Sequence, residues 1–163
     1  MNATRQLAAI MFTDVEGYTA LMQRDEHAAI ECRTRHREVF ERTMANHGGK
    51  IIQYYGDGTL SVFSSAIHAV SAGLEMQLLF RKQPLVPLRI GIHLGDVSID
   101  ESGIYGDGVN IASRIESSAV AGSVFISDKA FDEIKNQPQI TTLSMGLFEL
   151  KNVLRPVEIF AIV

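Results

Sequence analysis

Leu7 to Phe12 is an unbroken apolar run, closed by Thr13 and Asp14. That is the pattern of a strand buried on both faces, and it predicts a central position in a sheet. From Asp25 to Asn46 the period changes: Ala29, Cys32, Val39, Phe40 and Met44 recur at helical spacing among charged residues, and His47-Gly48-Gly49 supplies a stop. A long amphipathic helix is predicted there. Lys50 to Tyr55 and Thr59 to Phe63 are β-rich runs joined by Gly56-Asp57-Gly58, a hairpin signal. Ser64 and Ser65 can cap a helix carrying Ile67, Val70, Leu74 and Leu78 on one stripe. Pro84 and Pro87 break it, and Leu88 to Val97 reads as another strand.

The first half therefore has the order β-α-β-β-α-β, that of a ferredoxin-like split unit: an antiparallel sheet with two helices on one face. The second half adds a helix from about Val109 to Ser118, a strand at Val124 to Ser127, a short helix from Asp128, and a hairpin of Thr142 to Leu150 with Val157 to Val163. The predicted class is α+β, a ferredoxin-like core with a C-terminal α/β extension. At 163 residues the chain is expected to be a single domain, residues 1–163, able to bury a substantial core without disulfides or a structural metal.

Composition narrows the setting. The one cysteine, Cys32, excludes an internal disulfide and a cysteine zinc cluster, fits a reducing compartment, and reads as a small core residue. Met1 to Leu7 lacks the apolar stretch of a leader, and no run approaches a spanning helix. A cytoplasmic protein with no membrane partner is expected. A net charge of -4 without a basic stripe argues against nucleic acid, and an RNA-binding ferredoxin-like domain would need aromatic strands and a basic face that this chain lacks. A nucleotide bound through metals remains compatible, because cations supply most of the local positive charge.

Asp14 follows the first strand and Asp57 lies in the first hairpin. Carboxylates where strands give way to glycine-containing loops suit hard cations. Each has a plain alternative: Gly-Asp-Gly is a good turn with no chemistry, and Asp14 could cap a helix. Asn110 and Arg114 stand four apart and share a helix face, which could simply be solvated. Gly106 and Gly108 lack the third glycine and the flanking order of a dinucleotide-binding unit. His27, His36, His47 and His68 lie in or beside helical patterns and read as surface or helix-end residues, while His93 closes an apolar strand. Tyr18 and Phe63 read as packing.

The ordered segments Phe12-Thr13-Asp14, Gly56-Asp57-Gly58, Ile90-Gly91-Ile92-His93 with Gly95, Tyr105 to Arg114, and Leu150-Lys151-Asn152 before Pro156-Val157 resemble the catalytic domain of class III nucleotidyl cyclases over nearly the whole chain. The resemblance implies an enzyme converting ATP to cyclic AMP and pyrophosphate. Asp14, Asp57 and the Val15 carbonyl would hold two magnesium or manganese ions, one activating the ribose 3′-hydroxyl and one binding the triphosphate. Gly17 and Thr19 would contact the triphosphate, with the amides of Glu16 to Thr19 facing phosphate oxygens. Asn110 would bind ribose, Arg114 the α-phosphate and Lys151 the terminal phosphates. In this family the aspartates act with the Asn, Arg and Lys of a second subunit, so a homodimer with shared active sites is implied. Such domains commonly form the output half of larger signalling chains, so a regulatory domain is a further expected partner.

The chain departs from the family pattern at the base-reading positions. Gln53 stands where adenylate cyclases usually carry lysine, and Gly103 where they carry aspartate or threonine; Ser123 replaces an arginine found in some members. Lys50 is expected on the opposite face of its strand from Gln53. Gln53 can donate and accept, so relaxed selectivity between ATP and GTP is expected. The alternative is a catalytically silent nucleotide-binding dimerisation module.

Overall fold

The computed structural model describes residues 4–163; residues 1–3, which begin the segment read as lacking a leader, lie outside the described residues. The first strand is longer than its apolar run, β1 (Thr4–Val15), because it pairs over its full length with β4 (Leu88–Asp100). Between them lie α1 (Tyr18–Arg24), α2 (Glu26–His47), β2 (Lys50–Tyr55), β3 (Gly58–Phe63) and α3 (Ala66–Phe80). After β4 come β5 (Gly103–Tyr105), α4 (Asp107–Ser118), β6 (Val124–Ser127), α5 (Asp128–Ile134), β7 (Thr142–Phe148) and β8 (Val157–Ile162).

The strands form one sheet in the order β2-β3-β1-β4-β6-β8-β7, with β5 paired to the extension of β4. Every pairing is antiparallel except β4 with β6. The order of β1 to β4 is that of the expected ferredoxin-like core. On one face α2, α3 and α5 close a core around Met11, Phe40, Phe63, Met76 and Ile90, with α1 packed at its margin. On the other, α4 and β5 cover Ile10, Leu60, Val62 and Val97. Cys32 is buried in the first core as expected, and Tyr18 and Phe63 serve as packing.

Local chemistry fixes the helix ends. The Asp25 side chain accepts from the Ala28 amide, and Gly48 ends α2 at φ 69°, where glycine escapes the Cβ clash. Ser65 caps α3 through the His68 amide. The apolar face of α3 differs from the stripe that the sequence suggested: Ala66, Ala69, Val70, Gly73, Met76 and Phe80 are buried, whereas Leu78 is 60% exposed. The small residues face the sheet because they allow close approach, as at Gly73, where a Cβ would lie 3.3 Å from Val124. Buried Gln77 donates to the carbonyls of Leu88 and Ser123 at 2.8 and 2.9 Å, tying the entries of β4 and β6 together.

His36 is a second correction. It is 3% exposed, stacked on Phe40 and Phe80 at 5.7 and 5.9 Å, with Nε2 beside the Thr13 hydroxyl. It is a core residue and not a surface histidine. Among the described residues no helix is long and apolar enough to cross a membrane.

Candidate active site

Register brings the two aspartates together. Asp14 pairs with Gly58 across β1 and β3, and the Val15 amide donates to the Asp57 carbonyl at 3.2 Å. The approach needs glycine at 58, since a Cβ there would lie 2.6 Å from the Thr13 carbonyl oxygen and 3.4 Å from Asp14 Cβ. Beneath them the hydroxyls of Thr13 and Thr59 share a buried 2.6 Å hydrogen bond that pins the same strand pair. Asp57 occupies a turn, as its Gly-Asp-Gly sequence suggests, but its side chain also lines the principal cleft. Asp14 is not a helix cap: the residue capping α1 is Gly17, in the left-handed conformation.

This cleft, about 700 Å³ in volume, lies between the ends of β1 and β3 and the α4 face. Its walls include Asp14 and Asp57, Ile104 and Tyr105 of β5, and Asn110, Ser113 and Glu116 of α4. Phe12 and Tyr55 form a stacked pair on one side, with ring centroids 6.3 Å apart. Asn110 thus lines the cleft of the same chain as the aspartates. Arg114 and Lys151 do not line it: Arg114 is half-buried on α4, its Nε without a hydrogen-bond partner, and Lys151 is exposed in the β7–β8 connection. Among the described residues no lysine or arginine lines the cleft.

Two charged residues that the motifs did not single out complete the electrostatics. Arg89 is the cross-strand partner of Asp14 and grips its carboxylate through Nη2 at 2.8 and 2.9 Å and Nε at 3.3 Å. Its Nε also lies 3.6 Å from Glu116. Burial, reinforced by the Asp14 charge, pushes the Glu116 carboxyl up to about 7 despite Arg89. Burial likewise raises Asp57, with Asp14 contributing. The signal for Arg89 is an arginine interrupting the apolar start of a strand whose antiparallel partner carries an aspartate one residue from its end.

At the phosphate-binding loop expected at Glu16 to Thr19, the Glu16 amide is already committed to the Pro87 carbonyl at 2.8 Å, so it is not free for phosphate. Gly17 and Thr19 are exposed at the start of α1. Gln53 is exposed on β2 and Gly103 half-buried in β5. A bulge between Ile51 and Gln53 places Lys50 opposite Val62 and Gln53 opposite Leu60. Val62 and Leu60 share a face of β3, and cross-strand partners share a face. Lys50 and Gln53 therefore lie on the same side of the sheet, contrary to simple alternation, because the extra residue resets the period. His93 lies outside this cleft, buried, with Nδ1 2.8 Å from the Ser127 hydroxyl.

The donor set suits hard divalent cations. Asp14 and Asp57 present oxygen ligands, and a cation would favour the charged form of Asp57, which burial, with the Asp14 charge beside it, disfavours. Among the described residues no group of three or more His, Cys, Asp or Glu side chains is arranged to hold a metal. Backbone carbonyls and phosphate oxygens of a substrate would have to complete a coordination shell around the two aspartates.

A family model, the adenylate and guanylate cyclase catalytic domain, matches residues 2–162. A Rhizobium meliloti (strain 1021) protein named "Putative adenylate cyclase 3" is 38% identical over 96% of this chain, and a Streptomyces coelicolor adenylate cyclase is 31% identical over 77% of it. The matched regions span 28% and 33% of those longer relatives. Among solved structures, an adenylate/guanylate cyclase/hydrolase from Silicibacter pomeroyi superposes with TM-score 0.91 at 32% identity, covering 99% of each chain. The adenylyl cyclase CyaB from P. aeruginosa superposes at 0.87 with 25% identity, covering 100% of this chain and 96% of that one. The order of motifs, the fold and these similarities agree, and the chain belongs to the adenylate and guanylate cyclase catalytic-domain family.

Proposed function

We propose that this domain cyclises ATP to 3′,5′-cyclic AMP and pyrophosphate, with relaxed selectivity toward GTP. The observation that carries the reading is the convergence of Asp14, near the end of β1, and Asp57, in the β2–β3 turn, on one cleft. The names of the similar proteins, which include adenylate cyclases and a guanylyl cyclase, support the reaction class. Asp14 and Asp57, with the Val15 carbonyl, would hold two Mg2+ or Mn2+ ions. When bound, such ions supply Lewis-acid activation of the 3′-hydroxyl and charge neutralisation at the triphosphate.

The remaining work falls to the chain's own groups. Asn110 orients the ribose, and Gly17 and Thr19 contact the triphosphate. The 3′-hydroxyl gives its proton to solvent and its oxygen bonds to the α-phosphorus while the bond to the bridging oxygen breaks and pyrophosphate leaves; the Arg114 guanidinium stabilises the charge that develops on the α-phosphate oxygens. Lys151 contacts the terminal phosphates. Arg114 and Lys151 do not line the cleft of their own chain, and with Asn110 they act from a second copy, in a homodimer with two shared sites. Gln53 meets the base edge as donor or acceptor, and Gly103 adds no side chain, which is the basis for relaxed selectivity. The natural setting is cytoplasmic signalling, with regulatory segments elsewhere in a longer protein, as the partial coverage of the relatives suggests.

The second reading, a silent nucleotide-binding module, draws on the same Gln53 and Gly103. Product formation from ATP and from GTP, with Mg2+ and with Mn2+, separates the two. Cyclic product that is lost in Asp57→Ala while the fold is retained supports the enzyme. Metal-dependent nucleotide binding without product supports the silent module.

A further inference from the structure

We infer that Arg89 holds the Asp14 carboxylate until a divalent cation takes it, and that Glu116 is the positioning residue that then receives the guanidinium. This rests on reading Asp14 as a metal ligand. Both Asp14 oxygens are occupied by Arg89, at 2.8 and 2.9 Å from Nη2. A bidentate guanidinium is a strong, directional partner, and its positive charge repels a cation arriving at the same carboxylate. Cation binding at Asp14 therefore requires Arg89 to give way.

Among the described residues, Glu116 is the carboxylate other than Asp14 that lies within 4 Å of Arg89. The Arg89 side chain is only 26% exposed, so a move into open solvent is restricted. Glu116 Oε2 lies 3.6 Å from Arg89 Nε, is buried, and has no hydrogen-bond partner. A buried acceptor with unused capacity is costly unless another state uses it. A short swing of the guanidinium would break its Asp14 bonds and convert the 3.6 Å approach into a charge-assisted hydrogen bond. The receiver is also fixed in place: α4 lies directly on β4 at this point, where a Cβ on Gly91 would come within 2.6 Å of Glu116 Cα. Asp14 and Glu116 both lie within 4 Å of one guanidinium and Asp57 lines the same cleft, so the site can retain Arg89 and still accept a divalent ion.

The test is Mn2+ affinity of the nucleotide-free chain, read by electron paramagnetic resonance of free Mn2+, in a double-mutant cycle. Glu116→Gln should weaken binding about tenfold, because Arg89 loses its receiver. In an Arg89→Met background the same change should alter affinity by about twofold or less. Equal weakening in both backgrounds would mean that Glu116 acts only as a nearby charge, and no weakening in the first would mean that it does not act; either overturns the handover alone. Equal Mn2+ affinity in wild type and Asp14→Ala overturns the metal-ligand reading and the handover with it. Should Arg89→Met fail to fold, the Arg89 Nε–H resonance of 15N-arginine-labelled chain keeps the question open to measurement. Mg2+ should shift that resonance in wild type and not in Glu116→Gln, and a resonance insensitive to saturating Mg2+ in wild type overturns the proposal.

Discussion

Gly91 and Glu116 touch through their backbones: a Cβ built on Gly91 would meet the Glu116 amide nitrogen and lie 2.6 Å from its Cα. The absent side chain lets α4 lie against β4, and that contact sets how far Asn110, Ser113 and Glu116 stand from the aspartates across the cleft.

Gly91→Ala is therefore expected to lift α4 from the sheet. The overpacking should destabilise the domain by about 1–3 kcal/mol and lower turnover, since the cleft walls separate. Chemical denaturation followed by circular dichroism, with the nucleotide assay run beside it, checks both effects.

Acid should expose the buried histidines. Burial lowers His36 to about 4, assisted by the Arg37 charge, and lowers His93 to about 4, assisted by Lys129. Above the ordinary imidazole value of about 6.5 both rings are neutral in the folded and unfolded chain, and they impose no pH dependence. Between about 6.5 and 4 the unfolded chain binds protons that the folded one cannot, so stability falls with pH, by up to about 3 kcal/mol per histidine. Below about 4 the folded rings charge as well and the loss levels off. Glu116 works in the other direction: its folded value of about 7 adds stability as pH falls from there to its ordinary value of 4.5, below which the gain levels off. The informative quantity is consequently the difference between variants. His36→Leu should show a shallower loss of stability from pH 6.5 to 4 than wild type in urea titrations.

Mixing inactive variants tests the shared site. Asp57→Ala and Arg114→Ala should each be inactive alone. Random heterodimers contain one intact site, so an equimolar mixture should recover about a quarter of wild-type activity. No recovery would mean that Arg114 serves its own chain. The same experiment with Asn110→Ala decides whether Asn110 acts in the cleft that it lines or in that of a partner.

Most of the fold was legible because its signals are local. β6 and the β2–β3 hairpin fell where the apolar runs and turn residues put them, and the β-α-β-β-α-β order predicted the sheet arrangement of β1 to β4. Features that depend on partners were not. β1 and β4 extend past their apolar runs because each pairs with the other. β5 has only three residues and exists through pairing with β4. The bulge in β2 reverses the alternation that separated Lys50 from Gln53. His36 resembles any polar helix residue until Phe40 and Phe80 close around it. In the candidate site, Asp14 and Asp57 were legible as carboxylates where apolar runs give way to glycine-containing loops, whereas Arg89 and Glu116 reach Asp14 only through antiparallel register and α4 packing.

The most direct test is cyclic nucleotide formation from ATP with Mn2+ by wild type and by Asp14→Ala, both verified as folded. Cyclic AMP and pyrophosphate in equal amounts from wild type, with turnover lowered at least about a thousandfold in the variant, is the expected result. Equal product from both proteins would show that the cleft at Asp14 and Asp57 is not where the chemistry occurs.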